Sequence, residues 1–317
     1  MAEPMTQPDV ALLDAGWKKL PAIYRTPKQV PTLEEAQAYC RQLAGSHYEN
    51  FHVATWFLPQ RLRPHFHSIY AYCRIADDLG DEVGDTQQSL ALLDFWNAEL
   101  DACYRGEVRH PVFVALAETI RVCNIPKTPF ADLLKAFRQD QTVQRYQTMQ
   151  DVLGYCQNSA NPVGHLVLYA SGHRGAELFA LSDFICTALQ LANFWQDVSV
   201  DFQKDRIYLP LEDMQRFGVT EEQIRTRRCT PEFRTLMQYE VAYAHDLFRK
   251  GAPLVQQLDP ELAVDIGLFV RGGQEILRAI ERQDFDVLRA RPVISRPRKL
   301  GLLLRAVAAK LTTRRTA

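Results

Sequence analysis

The sequence has almost no net charge, no long apolar run and no closely spaced cysteines, and each absence excludes a class of protein. The formal net charge is −1 over 317 residues, which argues against a strongly basic nucleic-acid binder. No apolar run approaches the roughly 20 residues that span a bilayer, and the polar N-terminus has no basic-then-apolar signal segment. We therefore expect a cytoplasmic protein, in solution or peripheral on the inner face of the membrane.

The seven cysteines are scattered along the chain and never form a CxxC pair. An odd, dispersed set indicates small buried thiols in a reducing compartment, because a disulfide framework or a zinc site needs paired spacing. The eight histidines include no HExxH spacing, which also argues against zinc.

The sequence has no clear strand alternation and no repeat of solenoid length, and helical spacing dominates instead. Apolar residues recur at intervals of three and four, as in Phe66, Ile69 and Cys73. The pattern predicts an all-α fold with one helical domain over residues 31–286, after an irregular lead-in over residues 1–30. Four helix starts carry capping signals, a capping box at Thr32 and three cap-proline pairs: Thr128-Pro129, Thr230-Pro231 and Asp259-Pro260.

The C-terminal tail, residues 287–317, differs in composition from the rest of the chain. It contains nine Lys or Arg residues and no acidic residue. The stretch "RPRKLGLLLRAVAAKLTTRRTA" is typical of a short basic amphipathic helix. Two interpretations stay open: a solvated or disordered terminus, or peripheral attachment to an anionic membrane surface.

The first of two acidic stripes lies in "YAYCRIADDLGDE", on a predicted helix with strongly apolar sequence before it. Asp77 and Asp81 are four residues apart and so share a helix face, and Arg74 lies on that face too. One such pair alone would fit an ordinary solvated helix.

The second stripe lies about 120 residues later, in "NFWQDVSVDFQKDRIYLP", and contains Asn193, Asp197 and Asp201 at intervals of four. No basic residue precedes Asp201 by three or four positions, so the carboxylates repel unless a cation offsets them. Magnesium prefers oxygen ligands and bridges carboxylates to phosphates. Two such stripes favour a magnesium–diphosphate site, with Lys204 and Arg206 as phosphate contacts, although those two alone would fit a solvated helix end.

These stretches resemble the motifs of the squalene/phytoene synthase family, the head-to-head prenyl synthases. "CRIADDLGDE" is similar to the first aspartate-rich motif, "NFWQDVSVDFQKDRIYLP" to the second, and "YCQNSANPVGHLV" to a tyrosine followed by a glycine-bearing helix break. The resemblance runs from about His47 to Arg282. It implies an isoprenoid-synthase helical bundle around a central active-site cavity that takes a prenyl diphosphate.

The resemblance also implies roles for individual residues. Five would bind Mg²⁺ and through it the diphosphate: Asp77, Asp81, Asn193, Asp197 and Asp201. Seven would contact the substrate: His47, Arg74, Tyr155, Gln196, Lys204, Arg206 and Arg271. Arg74, Tyr155 and Asn193 would take part in catalysis. Six aromatic residues are candidates for the dry wall that a carbocation needs: Phe51, Trp56, Tyr155, Phe194, Trp195 and Phe269.

Three departures from the common family pattern stand out. Gln196 occupies the arginine position of N-x-x-R-D, Glu49 in "HYENF" replaces a cation, and "NSANPVG" replaces a "VAGxVG"-like stretch. Two cation positions are thus lost. Condensation of two farnesyl diphosphates requires stabilisation of two diphosphates, whereas a single-diphosphate substrate needs less positive charge. The departures resemble the bacterial hydroxysqualene synthases of hopanoid pathways.

That branch implies a magnesium-dependent carbon–oxygen lyase. It would ionise presqualene diphosphate, rearrange the cation and capture water to give hydroxysqualene. We expect no NADPH, and no GxGxxG follows a predicted strand. The expected pathway partners are a presqualene diphosphate synthase and a hydroxysqualene reductase, with no nucleic acid.

Two alternatives stay open. The chain could be a condensing synthase that makes presqualene diphosphate, squalene or phytoene. It could also be a non-catalytic assembly factor, although such a protein would be expected to lose acidic residues and all four aspartates are present.

Overall fold

The structure, a computed structural model, describes residues 10–46, 59–302 and 304. All named elements within these ranges are helices, and the only ladder pairing there is an isolated bridge between Arg145 and Ile207. The predicted all-α fold is therefore confirmed. The chain divides into two compact units, Met1–Thr142 with Leu166–Gly172 and Val143–His165 with His173–Ala317.

The first unit contains most of the N-terminal half of the chain. Its α-helices are α1 (Val10–Trp17), α2 (Leu33–Ser46), α3 (Arg63–Asp81), α4 (Thr86–Tyr104), α5 (Pro111–Cys123) and α6 (Thr128–Gln139). The remaining helices are α7 (Met149–Ser159), α8 (Asn161–Ala170), α9 (Ala176–Asp201), α10 (Leu211–Arg216), α11 (Glu221–Arg225), α12 (Pro231–Gly251) and α13 (Pro260–Arg282). Residues 296–302 are also helical. A single catalytic domain over residues 31–286 stays a prediction.

Helix α3 forms the centre of the first unit and packs against α2, α4, α5 and α6. Its Tyr72 is fully buried and meets Phe130 edge-on, with ring centroids 5.0 Å apart. Trp96 of α4 lies 4.6 Å from Phe113 of α5 in the same cluster. Each aromatic pair of this kind adds about 1 kcal/mol to the gain from burial alone. The cluster therefore holds α3, which carries the first acidic stripe, in place.

The lead-in is more regular than the sequence analysis predicts. Residues 1–30 include helix α1 and a 3-10 turn at Ala22–Tyr24, so the irregular assignment is wrong for the described part. Trp17 packs edge-on against Phe95, with ring centroids 5.6 Å apart, and Tyr24 is buried. A helix of this length shows little periodicity in sequence, and its stability comes from tertiary packing.

The capping predictions hold in part. Thr32 and Glu35 form the reciprocal capping box, with Glu35 Oε2 accepting from Thr32 N at 2.8 Å. Thr230 caps α12 through its hydroxyl. Thr128, however, is the first residue of α6 rather than its cap, and the side chain of Asp259 makes no capping hydrogen bond.

Helix α9 runs through the second unit and packs against α7, α12 and α13. Two glycines permit close contacts to it. A Cβ on Gly164 of α8 would lie 2.3 Å from Ser182 Oγ, and one on Gly251 of α12 would lie 2.6 Å from Ile185 Cγ1. Neither helix could approach α9 this closely with a larger residue.

One stretch, Ala176–Lys204, is long and apolar enough by composition to cross a membrane. A single stretch of this kind is weak evidence by length and composition alone, and 44% of its most apolar window is buried inside the protein. It therefore gives no support for a membrane span. All seven cysteines are free, as their spacing predicts.

The C-terminal tail begins inside packed structure rather than at its edge. Val287 and Leu288 are completely buried, although the predicted domain boundary precedes them. Further on, the basic helix at residues 296–302 agrees with the predicted amphipathic segment, and Arg298 pairs with Glu275 of α13 at 3.1 Å. The tail is thus attached to the second unit along part of its length.

Candidate active site

The first acidic stripe lies at the C-terminal end of α3, which ends at Asp81. The side chain of Asp77 is 47% exposed, and Asp81 is exposed one turn later. Both carboxylates therefore face solvent from a helix whose opposite side is buried in the core. This placement fits a magnesium ion that bridges carboxylates to phosphate oxygens and keeps some of its waters.

Arg74 is fixed next to this stripe by a carboxylate that the sequence analysis did not single out. Its Nε and Nη2 donate to Asp78 Oδ2 and Oδ1, at 3.1 and 2.5 Å, while Nη1 lies 3.9 Å from Asp77. Asp78 is buried and also accepts a 2.6 Å hydrogen bond from Tyr24 OH. The i,i+4 spacing of Arg74 and Asp78 could have predicted their ion pair from the sequence. No local pattern predicts the contact with Tyr24, which is 54 residues away.

Tyr24 acts as a permanent donor to this pair. Burial raises its pKa well above the ordinary value, and the hydrogen bond and charge of Asp78 add to the shift. The phenol therefore stays protonated at physiological pH. Arg74 is thus presented beside Asp77 by a neutral donor and a buried carboxylate, while its contact with substrate stays a prediction.

The second stripe follows one face of α9. Asn193 is exposed and Asp197 is partly exposed, whereas Phe194 and Trp195 between them are buried. Burial raises the pKa of Asp201 to about 7, and the charge of Asp197 adds to that shift. Lys204, Arg206 and Arg291 oppose it through their positive charge.

These electrostatics fit a divalent cation at the second stripe. The charge of Asp197 helps to raise the pKa of Asp201 because like charges repel, and a bound cation would offset that repulsion. Among the described residues, no three His, Cys, Asp or Glu side chains converge on a common point. Asn193, water or phosphate oxygens would therefore complete the coordination, which is usual for Mg²⁺.

A cation from the tail already lies on this stripe. Arg291 donates from Nε to Asp197 Oδ1 and from Nη2 to Asp197 Oδ2, the latter at 2.9 Å. This two-pronged geometry is the favourable arrangement of a guanidinium and a carboxylate. The two residues are 94 positions apart, and the sequence analysis recorded Arg291 only as one of many basic tail residues.

Gln196 lies against the same arginine. Its side chain is buried, its Nε2 donates to the carbonyl of Pro292 at 2.5 Å, and its Oε1 accepts from Arg291 Nη2 at 3.1 Å. The inference that a cation is lost at this position is therefore wrong, because Arg291 brings a guanidinium there from the tail. Direct contact of Gln196 with substrate stays a prediction.

Lys204 and Arg206 follow α9 on a tight turn. The chain forms a 3-10 turn at Phe202–Lys204, and Asp205 then adopts a left-handed conformation with φ 57°. Arg145 holds the turn by donating to the backbone carbonyl of Asp205 at 2.5 Å and to its carboxylate at 2.9 Å. The turn keeps both cations close enough to affect Asp201.

A buried aromatic cluster lies behind the second stripe. Phe194 stacks on Tyr208 with ring centroids 3.7 Å apart and an angle of 6°. Tyr155 lies 6.0 Å from Phe194 and 5.7 Å from Tyr208, and Tyr146 adds a further ring 5.6 Å from Tyr208. The sequence analysis found Tyr155 and Phe194 but missed the other two, although Tyr208 lies within the second motif itself.

The other predicted residues are placed differently. Trp195 is completely buried and donates to the backbone carbonyl of Glu240 at 3.2 Å, as a core residue does, and Phe269 is partly exposed. Arg271 lies on α13, and its buried Nε has no hydrogen-bond partner within the described part of the chain. Three predicted residues, and Glu49, lie outside the described residues: His47, Phe51 and Trp56.

Comparison with known proteins bears on the family to which the chain belongs. A family model described as Squalene/phytoene synthase matches residues 44–298. The hydroxysqualene synthase of Sinorhizobium fredii is 32% identical over 264 residues, covering 82% of this chain and 87% of that protein. The 15-cis-phytoene synthase of Synechococcus elongatus is 28% identical over 288 residues, covering 87% and 94%.

A solved structure is also similar. Squalene synthase HpnC from Alicyclobacillus acidocaldarius shares 43% sequence identity and a TM-score of 0.77, over 85% of this chain and 98% of that one. The similarity confirms the helical fold that the motifs implied.

Proposed function

Because the chain belongs to the squalene/phytoene synthase family, we propose that it is a hydroxysqualene synthase. Its substrate would be presqualene diphosphate, and its products hydroxysqualene and diphosphate. The observation that carries the proposal is the higher identity to the hydroxysqualene synthase than to the phytoene synthase. The identity to the solved squalene synthase supports it.

Five residues would hold magnesium, on two stripes: Asp77, Asp81, Asn193, Asp197 and Asp201. When bound, the metal would supply positive charge to the departing diphosphate. No NADPH is required by the proposed reaction, because water rather than hydride ends it.

The chain's own cations would share that work. Lys204, Arg206 and Arg291 already act on Asp201 through their charge, so they would act equally on phosphate oxygens at the same place. Arg74, held by Asp78, offers a further guanidinium beside Asp77. Fixed charges of this kind stabilise a leaving group without reorganisation as its bond breaks.

The reaction balances without an oxidant or a reductant. The C–O bond to the diphosphate breaks and its electron pair leaves with the phosphate oxygen. The resulting cyclopropylcarbinyl cation rearranges, the oxygen of water adds to it, and a proton is released. The clustered rings of Tyr155, Phe194 and Tyr208 would provide an apolar, electron-rich surface that delays contact with water until rearrangement is complete.

A condensing reaction is the second candidate, supported by the phytoene synthase relative, which matches most of both chains. Such an enzyme would join two prenyl diphosphates to give presqualene diphosphate or phytoene, or squalene when NADPH supplies a hydride. It would release two diphosphates for each molecule of squalene or phytoene.

A product assay separates the two. The purified protein is incubated with presqualene diphosphate and Mg²⁺, without NADPH, and the extract is examined by mass spectrometry. We expect hydroxysqualene from the parent and none from Asp197→Ala. Consumption of farnesyl diphosphate with no hydroxysqualene from presqualene diphosphate would identify a condensing synthase instead.

A test in cells addresses the non-catalytic alternative. If Asp77→Ala and Asp197→Ala both retain the biological role of the parent in cells, a catalytic function is contradicted.

A hydroxysqualene synthase would also depend on an enzyme that supplies presqualene diphosphate and on a reductase that consumes hydroxysqualene. Loss of hydroxysqualene in cells that lack the supplying enzyme would support that order.

A further inference from the structure

We infer that Gln196 is a positioning residue that seats Arg291 at the second stripe. The inference rests on the proposed function in one respect, since it takes the group bound at this stripe to be a diphosphate. The rest of the inference depends only on the structure, in which the buried neutral amide of Gln196 on α9 holds the guanidinium of Arg291 from the C-terminal tail.

The contacts of Gln196 link helix and tail at two adjacent residues. Its Nε2 donates to Pro292 and its Oε1 accepts from Arg291, and the side chain is only 4% exposed. A buried amide that lost these partners would pay the full cost of desolvation without compensation. The pair of contacts therefore sets the position of the backbone at 292 as well as that of the guanidinium.

The segment before Arg291 is anchored independently. Val287 and Leu288 are completely buried, and Gln283 donates to the carbonyl of Ala290 at 3.1 Å. The side chain of Arg291, in contrast, is 48% exposed. The chain is thus held on both sides of an arginine whose guanidinium can still meet a ligand from solvent.

The two contacts of Arg291 differ in what a ligand would do to them. The contacts with Asp197 use the carboxylate oxygens that a magnesium ion would need. The contact with Gln196 uses an amide oxygen that is not among the five proposed magnesium ligands. When the stripe is occupied, Gln196 is therefore the partner that keeps Arg291 beside the bound phosphates.

The chemistry of glutamine suits this task better than that of a charged residue. An amide oxygen accepts from a guanidinium without cancelling its charge. A glutamate would hold Arg291 more tightly but neutralise it, and an arginine would repel it and offer no acceptor. The structure thus gives a reason for Gln196 that does not depend on water or on the number of diphosphates.

The first experiment measures the seating directly, by hydrogen–deuterium exchange of the peptide covering residues 287–295 in the metal-free protein. Gln196→Met keeps the unbranched shape and removes both hydrogen-bonding groups, and we expect faster exchange there. Gln196→Glu keeps the acceptor for Arg291 but loses the donor to Pro292, so the segment should be less protected than in the parent and more protected than in Gln196→Met, whereas Gln196→Arg should expose it. Gln203→Leu is the matched control, because Gln203 donates to the backbone carbonyl of Ser199 in the preceding turn and not to the tail.

The second experiment measures the affinity for inorganic pyrophosphate with Mg²⁺ by calorimetry. Gln196→Met and Arg291→Met should each weaken binding about tenfold, the usual loss for one charge-assisted hydrogen bond. The double variant should be no weaker than Arg291→Met alone, because Gln196 acts through Arg291. Gln196→Glu should bind pyrophosphate no better than Gln196→Met, although its tail is better protected, because its charge cancels that of Arg291.

Two results would overturn the inference: additive losses in the double variant, or unchanged exchange and affinity in Gln196→Met. A purely structural glutamine predicts that affinity follows protection, so that Gln196→Glu would bind pyrophosphate better than Gln196→Met. The outcome is separable from the reaction proposed above. If the losses of pyrophosphate affinity are coupled but the protein makes no hydroxysqualene, only the proposed reaction is contradicted. If the losses are additive and the protein does make hydroxysqualene, only the role of Gln196 in positioning Arg291 is contradicted.

Discussion

At the residue scale, two arginines reach the acidic stripes by different means. Arg74 is held by a carboxylate on its own helix, Asp78, which is buried and further stabilised by Tyr24. Arg291 is held by Asp197 and Gln196, far away in sequence. The first arrangement follows from helix geometry, while the second depends on where the tail packs.

The buried pair of Arg74 and Asp78 should matter more for stability than any surface pair. Asp78→Asn would leave Arg74 largely buried with a weaker partner, and we expect a loss of about 3 kcal/mol in the free energy of unfolding. Urea unfolding measures this. Asp94→Asn, which removes the more exposed ion pair with Arg138, is the control and should cost less than about 1 kcal/mol. Equal losses in the two variants would contradict the argument.

Asp201 should make magnesium binding depend on pH near neutrality. Its pKa is raised to about 7 in the metal-free protein, so below that pH a proton must leave before a metal can bind. We therefore expect the affinity for Mg²⁺ alone to rise between pH 6 and 8 and then level off; pyrophosphate is omitted because its own ionisation falls in this range. Calorimetry at pH 6, 7 and 8 checks this. Asp201→Asn should bind more weakly and lose the rise; a parent with flat affinity over this range would refute it.

At the element scale, helix α9 combines a polar stripe, an aromatic cluster and a tightly packed back. The stripe follows the i,i+4 spacing of one face, and the rings of Phe194 and Tyr208 stack behind it. On other faces, Gly164 and Gly251 allow α8 and α12 to approach without side chains between them. The position of the second stripe therefore depends on packing contacts of glycines that have no proposed role in binding or catalysis.

Gly251→Ala should test that dependence. Its Cβ would lie 2.6 Å from Ile185 Cγ1 and 3.0 Å from the carbonyl of Leu181, so α12 would have to move away from α9. We expect a loss of about 1–3 kcal/mol, as for other overpacked cores. Gly272→Ala on α13 is the control, since nothing lies within 4 Å of its Cβ, and it should stabilise the helix by about 1 kcal/mol or less. Chemical denaturation distinguishes them, and two neutral variants would show that the close approach is not required.

At the scale of the whole molecule, net positive charge is concentrated in the tail. The chain is nearly neutral overall, yet the last 31 residues contain nine basic residues and no acidic one. On the described part of the tail, Leu300 and Leu304 are 56% and 58% exposed and lie four residues apart. We propose that this surface binds an anionic membrane, where a product as apolar as hydroxysqualene would collect.

Sedimentation with vesicles measures that contact. We expect binding to vesicles that contain anionic lipid, weaker binding in high salt, and little binding to neutral vesicles. Leu300→Asp should reduce binding several-fold because an apolar insertion is replaced by a charge. Val122→Asp, at an exposed apolar residue of α5, is the control and should bind like the parent. Equal binding by Leu300→Asp and the parent would exclude the tail as the contact.

The sequence by itself determined the helical class and the two acidic stripes, because the spacing of residues on a helix is local. Asp77 with Asp81, and Asn193 with Asp197 and Asp201, share faces whatever surrounds them. Only the tertiary structure decided which distant residues contact the carboxylates on these two helices. Arg291 and Tyr24 reach Asp197 and Asp78 from 94 and 54 positions away, and the packing of the tail and the lead-in brings them there. Such contacts leave no periodic signal, because they depend on how separate elements pack together and not on spacing along one helix.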